Sequence, residues 1–527
     1  MRNKYLYITL LAILGFNAET IQAQERQLKM APRLVVNITI DQLRSDYLEA
    51  FSPLYRTDGF RRLMDKGMVF SNASFPFLPI DRASAIASIA TGTTPYYNNI
   101  VGEQWLNRET LRPVYCIYDA NYVGLLTNEP SAPSALKTST ISDELKVATG
   151  GKAIVFAIAP TGDAAVLSAG HAADGAIWLD DNSGKWCSSQ YYFSDIPTWL
   201  LNFNSAYAPS QTIGRMAWEP MNASVSNFGY FMQSGQQQKF KHKFTGARRF
   251  NEYKASALIN SDITSLALQC LKNNNMGNDW TTDMLCLTYY AGNYDHRTVT
   301  ECQTEIVDTY VRLDYEMARL MSSIEQLYGL DNVLLIVSST GCSDEENADY
   351  AKYRIPTGTF YMNRTANLLN MYLGAIWGQG QYVETCFRNQ IFLNHKLLEQ
   401  KRISMSEALT RSQELLAMMS GVRNVYTSLQ LLTANNEQLQ KIRNGFNAEQ
   451  CGDILIETAP GWHLLNEEAK QDQLSRASFT QFPIIIYGSD IKSERITTPV
   501  TTDRIAPTIA KAIRIRAPNA CSAAPLY

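Results

Sequence analysis

Few side chains in this 527-residue sequence have the type and setting to do chemistry. Asp41 closes the run RLVVNITID, Arg33 to Asp41. A continuous apolar run ending in a carboxylate is how a buried parallel strand delivers an acid to the carboxyl edge of a sheet. The stretch PFLPIDRASAIASIATGTTP, Pro76 to Pro95, places Asp81 and Arg82 ahead of a small-residue helix carrying Ser84, Ser88 and Thr91. A hydroxyl with neither metal nor base beside it has too high a pKa to attack, so Ser84 reads as structural. Asp295 and His296, in GNYDHRT, form a doublet that suits a metal only in the company of further ligands. By themselves they read as an exposed pair at the N-terminus of the long helix that follows, with Asp295 capping its dipole. The segment ENADYAKYRIP, from Glu346, lacks the alternating oxygen ligands and Gly turn of a calcium loop and reads as solvated. Histidine is scarce, with only five in the chain, and the nine cysteines show no CxxC spacing. That argues against a thiolate zinc site.

The elements that must position these groups alternate. Buried-strand patterns occur at RLVVNITID, GKAIVFAIA (Gly151 to Ala159), DMLCLTYY (Asp283 to Tyr290), DNVLLIVSST (Asp331 to Thr340) and FPIIIYG (Phe482 to Gly488). Between them, Ile306, Tyr310, Leu313, Met317 and Leu320 recur with helical periodicity, and APTIAKAI follows the last strand. This order predicts an α/β fold, an αβα sandwich around a mostly parallel sheet. Two regions break the rhythm and read as insertions: about 172–253, rich in Trp, Tyr, Ser, Asn and Gln, and about 348–450, polar and largely helical.

The N-terminus has Arg2 and Lys4, then an apolar run from Tyr5 to Phe16, then NAETIQAQ. That is the pattern of a secretory signal peptide over residues 1–23, leaving 24–527 as the mature chain. No cysteine lies near the cut, so no lipid anchor is expected, and the protein is expected in the periplasm or secreted. A net charge of −3 gives no basic footprint for nucleic acid.

The segments VVNITIDQLRSDYL, GFRRLMDKGMVFSNA, ASIATGTTP, NNIVGEQW, AVLSAGHAADGAIWLDDNSGKW, IVDTYVRLDYEM, FPIIIYG and RIAPTIAKAI occur in an order that resembles the alkaline phosphatase superfamily. The resemblance is to its bacterial phosphate-irrepressible branch, related to type I phosphodiesterases and nucleotide pyrophosphatases, and it covers essentially the whole mature chain. Active members hold two zinc ions through about six or seven Asp and His ligands and attack phosphorus with a Thr or Ser alkoxide.

Mapped residue by residue, the resemblance implies a dismantled site. Asp41 is the only zinc ligand retained. Arg82 stands at the nucleophile's position, and Ile86 where a His is frequent. Glu103 replaces the Asn that helps hold the phosphoryl group, and Thr161 and Asp163 replace the Lys and Arg clamp. Tyr289 and Asn293 fall on one Asp and His ligand pair, and Thr340 and Gly341 on another. Gln481, or its neighbour Thr480, falls on the last His. No cofactor is therefore expected, unless a rearranged metal site uses Asp41, Asp295 and His296. The sequence predicts a pseudoenzyme that binds envelope proteins, a glycan or a small ligand in the former cleft; the alternative is an active phosphatase or phosphodiesterase. Arg82 is expected to fork onto Asp41 at ~3 Å, with Asp81 or Asp163 as a second partner.

Overall fold

Alternation along one strand decides which side of the sheet carries the site. In a computed structural model, β1 (Leu34–Asp41) turns Leu34, Val36, Ile38 and Ile40 into one apolar layer and Val35 into the other. Asp41 shares the parity of Val35, because side chains of a strand alternate with period two. The structure describes residues 30–231, 239–344, 350, 353–466, 471–473 and 480–527. Pro32–Tyr527 form one compact unit. The expected signal peptide lies outside the described residues, as does most of the segment from Glu346.

Eleven strands form the main sheet. They include β2 (Met68–Ser74), β3 (Val155–Ala159), β4 (Gly175–Leu179), β5 (Trp186–Ser189), β6 (Asp283–Tyr290), β7 (Val333–Ser339) and β8 (Phe482–Gly488). The spatial order through these is β2-β8-β7-β1-β6-β3-β4-β5. β1 is central and parallel to both β6 and β7, and β6, β3 and β4 continue in parallel. β8 runs antiparallel to β7 and β2, and β5 antiparallel to β4.

Helices cover both faces. One layer has α1 (Arg82–Thr91), α2 (Gly162–Ala169) and, near the C-terminus, Ile505–Ile513. α1 is buried from Ala83 to Thr91, and its Ala and Ser side chains let it lie close against α2. The other layer has α3 (Ile259–Asn273) and α4 (Gln303–Tyr328). All five periodic positions of α4 read from the sequence are buried there.

The insertions differ from their expected bounds. Residues 175–179 and 186–189 are strands of the main sheet, so the first insertion starts beyond β5. The second reaches past residue 450, and strands that were not expected join its helices. It holds an antiparallel sheet of Val383–Phe387, Gln390–Leu393, Ile454–Thr458 and Val422–Thr427, in that order. Helices α5 (Met362–Trp377) and α6 (Met405–Ala417) pack on it, with Leu369, Leu373, Ile391, Leu409 and Ile456 in a core of its own. α7 (Glu437–Asn444) completes the insertion. No disulfide joins any of the nine cysteines, and all but Cys386 and Cys521 are buried.

Candidate active-site cleft

Arg82 is the first residue of α1, and the local sequence fixes it there. Asp81 is the N-cap: its Oδ1 accepts from the Ser84 N–H at 2.9 Å, while Ser84 Oγ accepts from the Asp81 N–H at 3.0 Å. The other oxygen of Asp81 accepts from the Glu103 N–H at 2.7 Å. Gly102 permits that approach, since a Cβ there would meet Asp81 Oδ2 at 2.8 Å. Asp81 and Ser84 are thus occupied in building the helix start, as expected for Ser84. Asp81 is not a partner of Arg82.

The Arg82 guanidinium forks onto Asp163 instead. Nε donates to Oδ2 at 2.8 Å and Nη2 to Oδ1 at 3.2 Å, and the Tyr115 hydroxyl donates to the same Oδ1 at 3.1 Å. Glu103 lies 3.6 Å from Nη2, and Asp41 only 3.9 Å from Nη1. The expected 3 Å fork onto Asp41 is therefore corrected. Asp163 takes it because it sits in the first turn of α2, which packs on α1, and it is fully buried. Burial would depress the Arg82 charge, but Asp163, Glu103 and Asp41 together hold its pKa above the ordinary value. Burial would raise Asp163, and the Arg82 charge outweighs that and keeps its carboxyl below the usual carboxylate range.

Asp41 Oδ1 accepts from the Thr340 hydroxyl at 2.7 Å, and Thr340 Oγ1 in turn accepts from the Gln42 N–H at 3.0 Å. The cleft above, about 240 Å³, is lined by Asp41, Arg82, Glu103, Thr161, Asp295 and His296 among the sequence candidates. It is also lined by Tyr115, Glu129, Asp180, Asp181, Arg248, Lys254, Thr288 and Tyr290, none of which was expected. Only local composition pointed at Asp180 and Asp181, in LDDNSG.

Four expected members, Tyr289, Asn293, Gln481 and Gly341, are elsewhere. Tyr289 belongs to the opposite parity of β6, so its hydroxyl meets Thr264 of α3 at 3.0 Å across the sheet; Thr288 and Tyr290 take the cleft side. Asn293 turns its amide to the Arg297 carbonyl at 2.8 Å. Gln481 is exposed, and its backbone carbonyl accepts from the Ser45 N–H at 2.9 Å. Gly341 packs by Phe75 and Phe482. Asp295 and His296 do not cap the long helix. They form a separate 3-10 turn, Tyr294–His296, with Asp295 paired to Arg248 at 2.9 Å and His296 Nδ1 3.3 Å from Asp344.

These residues do not fit a two-zinc centre. Among the described residues no group of three or more His, Cys, Asp or Glu is placed to hold a metal. Asp41 is engaged by Thr340, Asp295 by Arg248, and a guanidinium stands next to Asp41. No step through a metal is drawn from this geometry.

The central β1 flanked by parallel strands, and the carboxylate at its edge, define the alkaline phosphatase type of α/β fold. The crystal structure of wild-type alkaline phosphatase PafA superimposes with a TM-score of 0.80 at 24% identity, over 94% of this chain and 98% of that one. The family model described as type I phosphodiesterase / nucleotide pyrophosphatase matches residues 35–481, and the chain belongs to that family. It is 27% identical over 515 residues to a calcium-transporting ATPase of Myroides odoratus, covering 93% of each chain. It is 25% identical over 523 residues to alkaline phosphatase PafA of Elizabethkingia meningoseptica, covering 96% of this chain and 95% of that one.

Proposed function

We propose that this chain is an exported, non-hydrolytic member of its family, which uses the former cleft to bind a ligand or an envelope partner in the periplasm or outside the cell. Arg82 carries this reading. Its side chain stands where the resemblance puts the nucleophile, offers no attacking oxygen, and is already paired with Asp163, with Glu103 and Asp41 close by. Membership of a fold does not confer activity, because chemistry belongs to the site.

The charge of the cleft supports the same reading. Asp41, Glu103, Glu129, Asp180, Asp181 and Asp295 line it against Arg82, Arg248 and Lys254. Asp163 lies beneath, and Lys254 is paired with Asp181. Such a cleft repels a phosphate ester and favours a neutral or cationic occupant, such as a glycan or an amine. A second reading, an active phosphatase or phosphodiesterase with a rearranged metal site, is favoured by the placing of Asp295 and His296 in the same cleft as Asp41.

The test is hydrolysis of phosphate monoesters and diesters by the purified protein, with and without added zinc. Background rates are expected in both. Turnover that EDTA abolishes and that Asp41→Asn also abolishes would establish the second reading.

A further inference from the structure

A second and larger cavity, about 520 Å³, lies where the second insertion meets the strap leading to α1. Its apolar lining comes from Leu78 and Pro79 of the strap, Ile442 of α7 and Leu455 of the insertion sheet, while Ile456, whose side chain belongs to the insertion core, borders it. It shares no lining residue with the cleft. We propose that this cavity is a binding site for a neutral small molecule of one or two rings bearing a hydrogen-bonding group.

Size, charge and polarity each narrow the occupant. The volume falls in the range of small-molecule pockets, ~300–1,000 Å³, which are mostly apolar with a few placed polar groups. The charged residues at its wall are matched within it: Arg423 lies 3.3 Å from Glu457, and Lys441 lies 3.2 Å from Glu437. A charged ligand would have to compete with those pairs, whereas a neutral one leaves them intact. One polar edge remains. The Tyr426 hydroxyl donates to Glu457 at 2.7 Å and accepts from the Gln438 amide at 3.2 Å. The Asn389 amide, also in the lining, donates to the Ile456 carbonyl at 3.0 Å. These bonds hold a hydroxyl and two amides in place beside the apolar walls, as orientation of a ligand requires. The walls themselves are held: the Leu78 N–H donates to the Lys441 carbonyl at 2.9 Å, and the Asn444 amide donates to the Pro76 carbonyl at 2.9 Å. The strap and α7, which both contribute to the lining, are therefore fixed to each other.

The test uses the full chain and N-phenyl-1-naphthylamine, a neutral two-ring fluorophore, in a fluorescence titration. Saturable binding with one site per chain is expected. Gln438→Trp, at an exposed helix position, and Ile442→Phe, from the apolar wall, should each fill the space and weaken binding by about tenfold or more. Asn251→Trp, in the cleft, should leave it unchanged. Non-saturable binding would overturn the proposal. So would parental affinity in Gln438→Trp with an unaltered melting temperature, or loss of binding in Asn251→Trp, which would move the fluorophore to the cleft.

Discussion

Two arginines in this protein fork onto buried aspartates, and they do so in opposite surroundings. Arg82 grips Asp163 at the cleft, and Arg108 grips Asp453 where the second insertion meets the core, at 3.1 and 3.3 Å. Around Arg82 the carboxylates are in excess, since Glu103 and Asp41 also face it. Around Asp453 the donors are in excess. His395 Nε2 lies 2.9 Å from Oδ1, and the Leu393 N–H donates to Oδ2 at 2.8 Å. The same fork therefore does different things. At the cleft, one cation neutralises a cluster of acids. At the junction, one acid is shared by several donors, any of which can be lost at modest cost.

The largest expected effect is at the cleft. Arg82→Met leaves Asp163 buried without its cation, and breaking such a pair costs about 3–5 kcal/mol, read as loss of unfolding free energy in urea. A double-mutant cycle sharpens the assignment: coupling of Arg82 to Asp163 should clearly exceed its coupling to Asp41, which lies 3.9 Å away. Equal couplings would make Asp41 a partner of the same weight as Asp163.

Acid should then separate the variant from the parent. In the parent, Asp163 is held below the usual range, so its contribution is present above the unfolded pKa, ~3.9, and is lost as pH falls through the folded value. In Arg82→Met burial acts on Asp163 against hydroxyl hydrogen bonds such as that from Tyr115 and no longer against a cation, so its folded pKa is expected to rise above the unfolded one. Protonation then favours the folded state, and the variant should gain stability as pH falls from 7 towards 5 while the parent does not. A parallel pH profile of melting temperature for the two proteins would break the comparison.

Arg108→Met should cost less, about 1–2 kcal/mol, because His395 and the Leu393 N–H continue to serve Asp453. The smallest effect belongs to the exposed pair Arg411–Glu414, where Arg411→Ala should stay within ~0.5 kcal/mol. If Arg108→Met equals Arg82→Met in unfolding experiments, the excess of donors at the junction is not protective.

Much of the frame could be read from the sequence, for definite physical reasons. Strands buried on both faces, such as β1, β6, β7 and β8, are continuous apolar runs, and the 3.6-residue period of α4 is sustained over its whole length. Asp41 was visible because it ends such a run. Tyr289 was misplaced because the identity of a residue at a strand's end does not reveal its parity, and a shift of one residue exchanges the faces. The partner of Arg82 was ranked wrongly because its choice between Asp41 and Asp163 depends on how closely α1 and α2 pack. Tyr115, Arg248 and Lys254 were missed because they reach the cleft from separate segments with no local signature. The strands of the second insertion were missed because VETCF, QIFL and ILIET are short, in a stretch otherwise dominated by helical, polar residues.

That no disulfide joins any of the nine cysteines bears on how this protein can be handled. For a chain proposed to work outside the cytoplasm, nothing covalent secures the fold, and the fold itself is what shields the sulfur. Burial pushes the Cys116 thiol well up and that of Cys286 to about 12, which keeps them from the reactive thiolate form. Unfolding removes that shelter from the seven buried thiols at once, so that air oxidation would compete with renaturation and cross-link the chain at random. Recovery after heating or urea should therefore depend on reductant, and the point of no return is set by redox chemistry as much as by temperature.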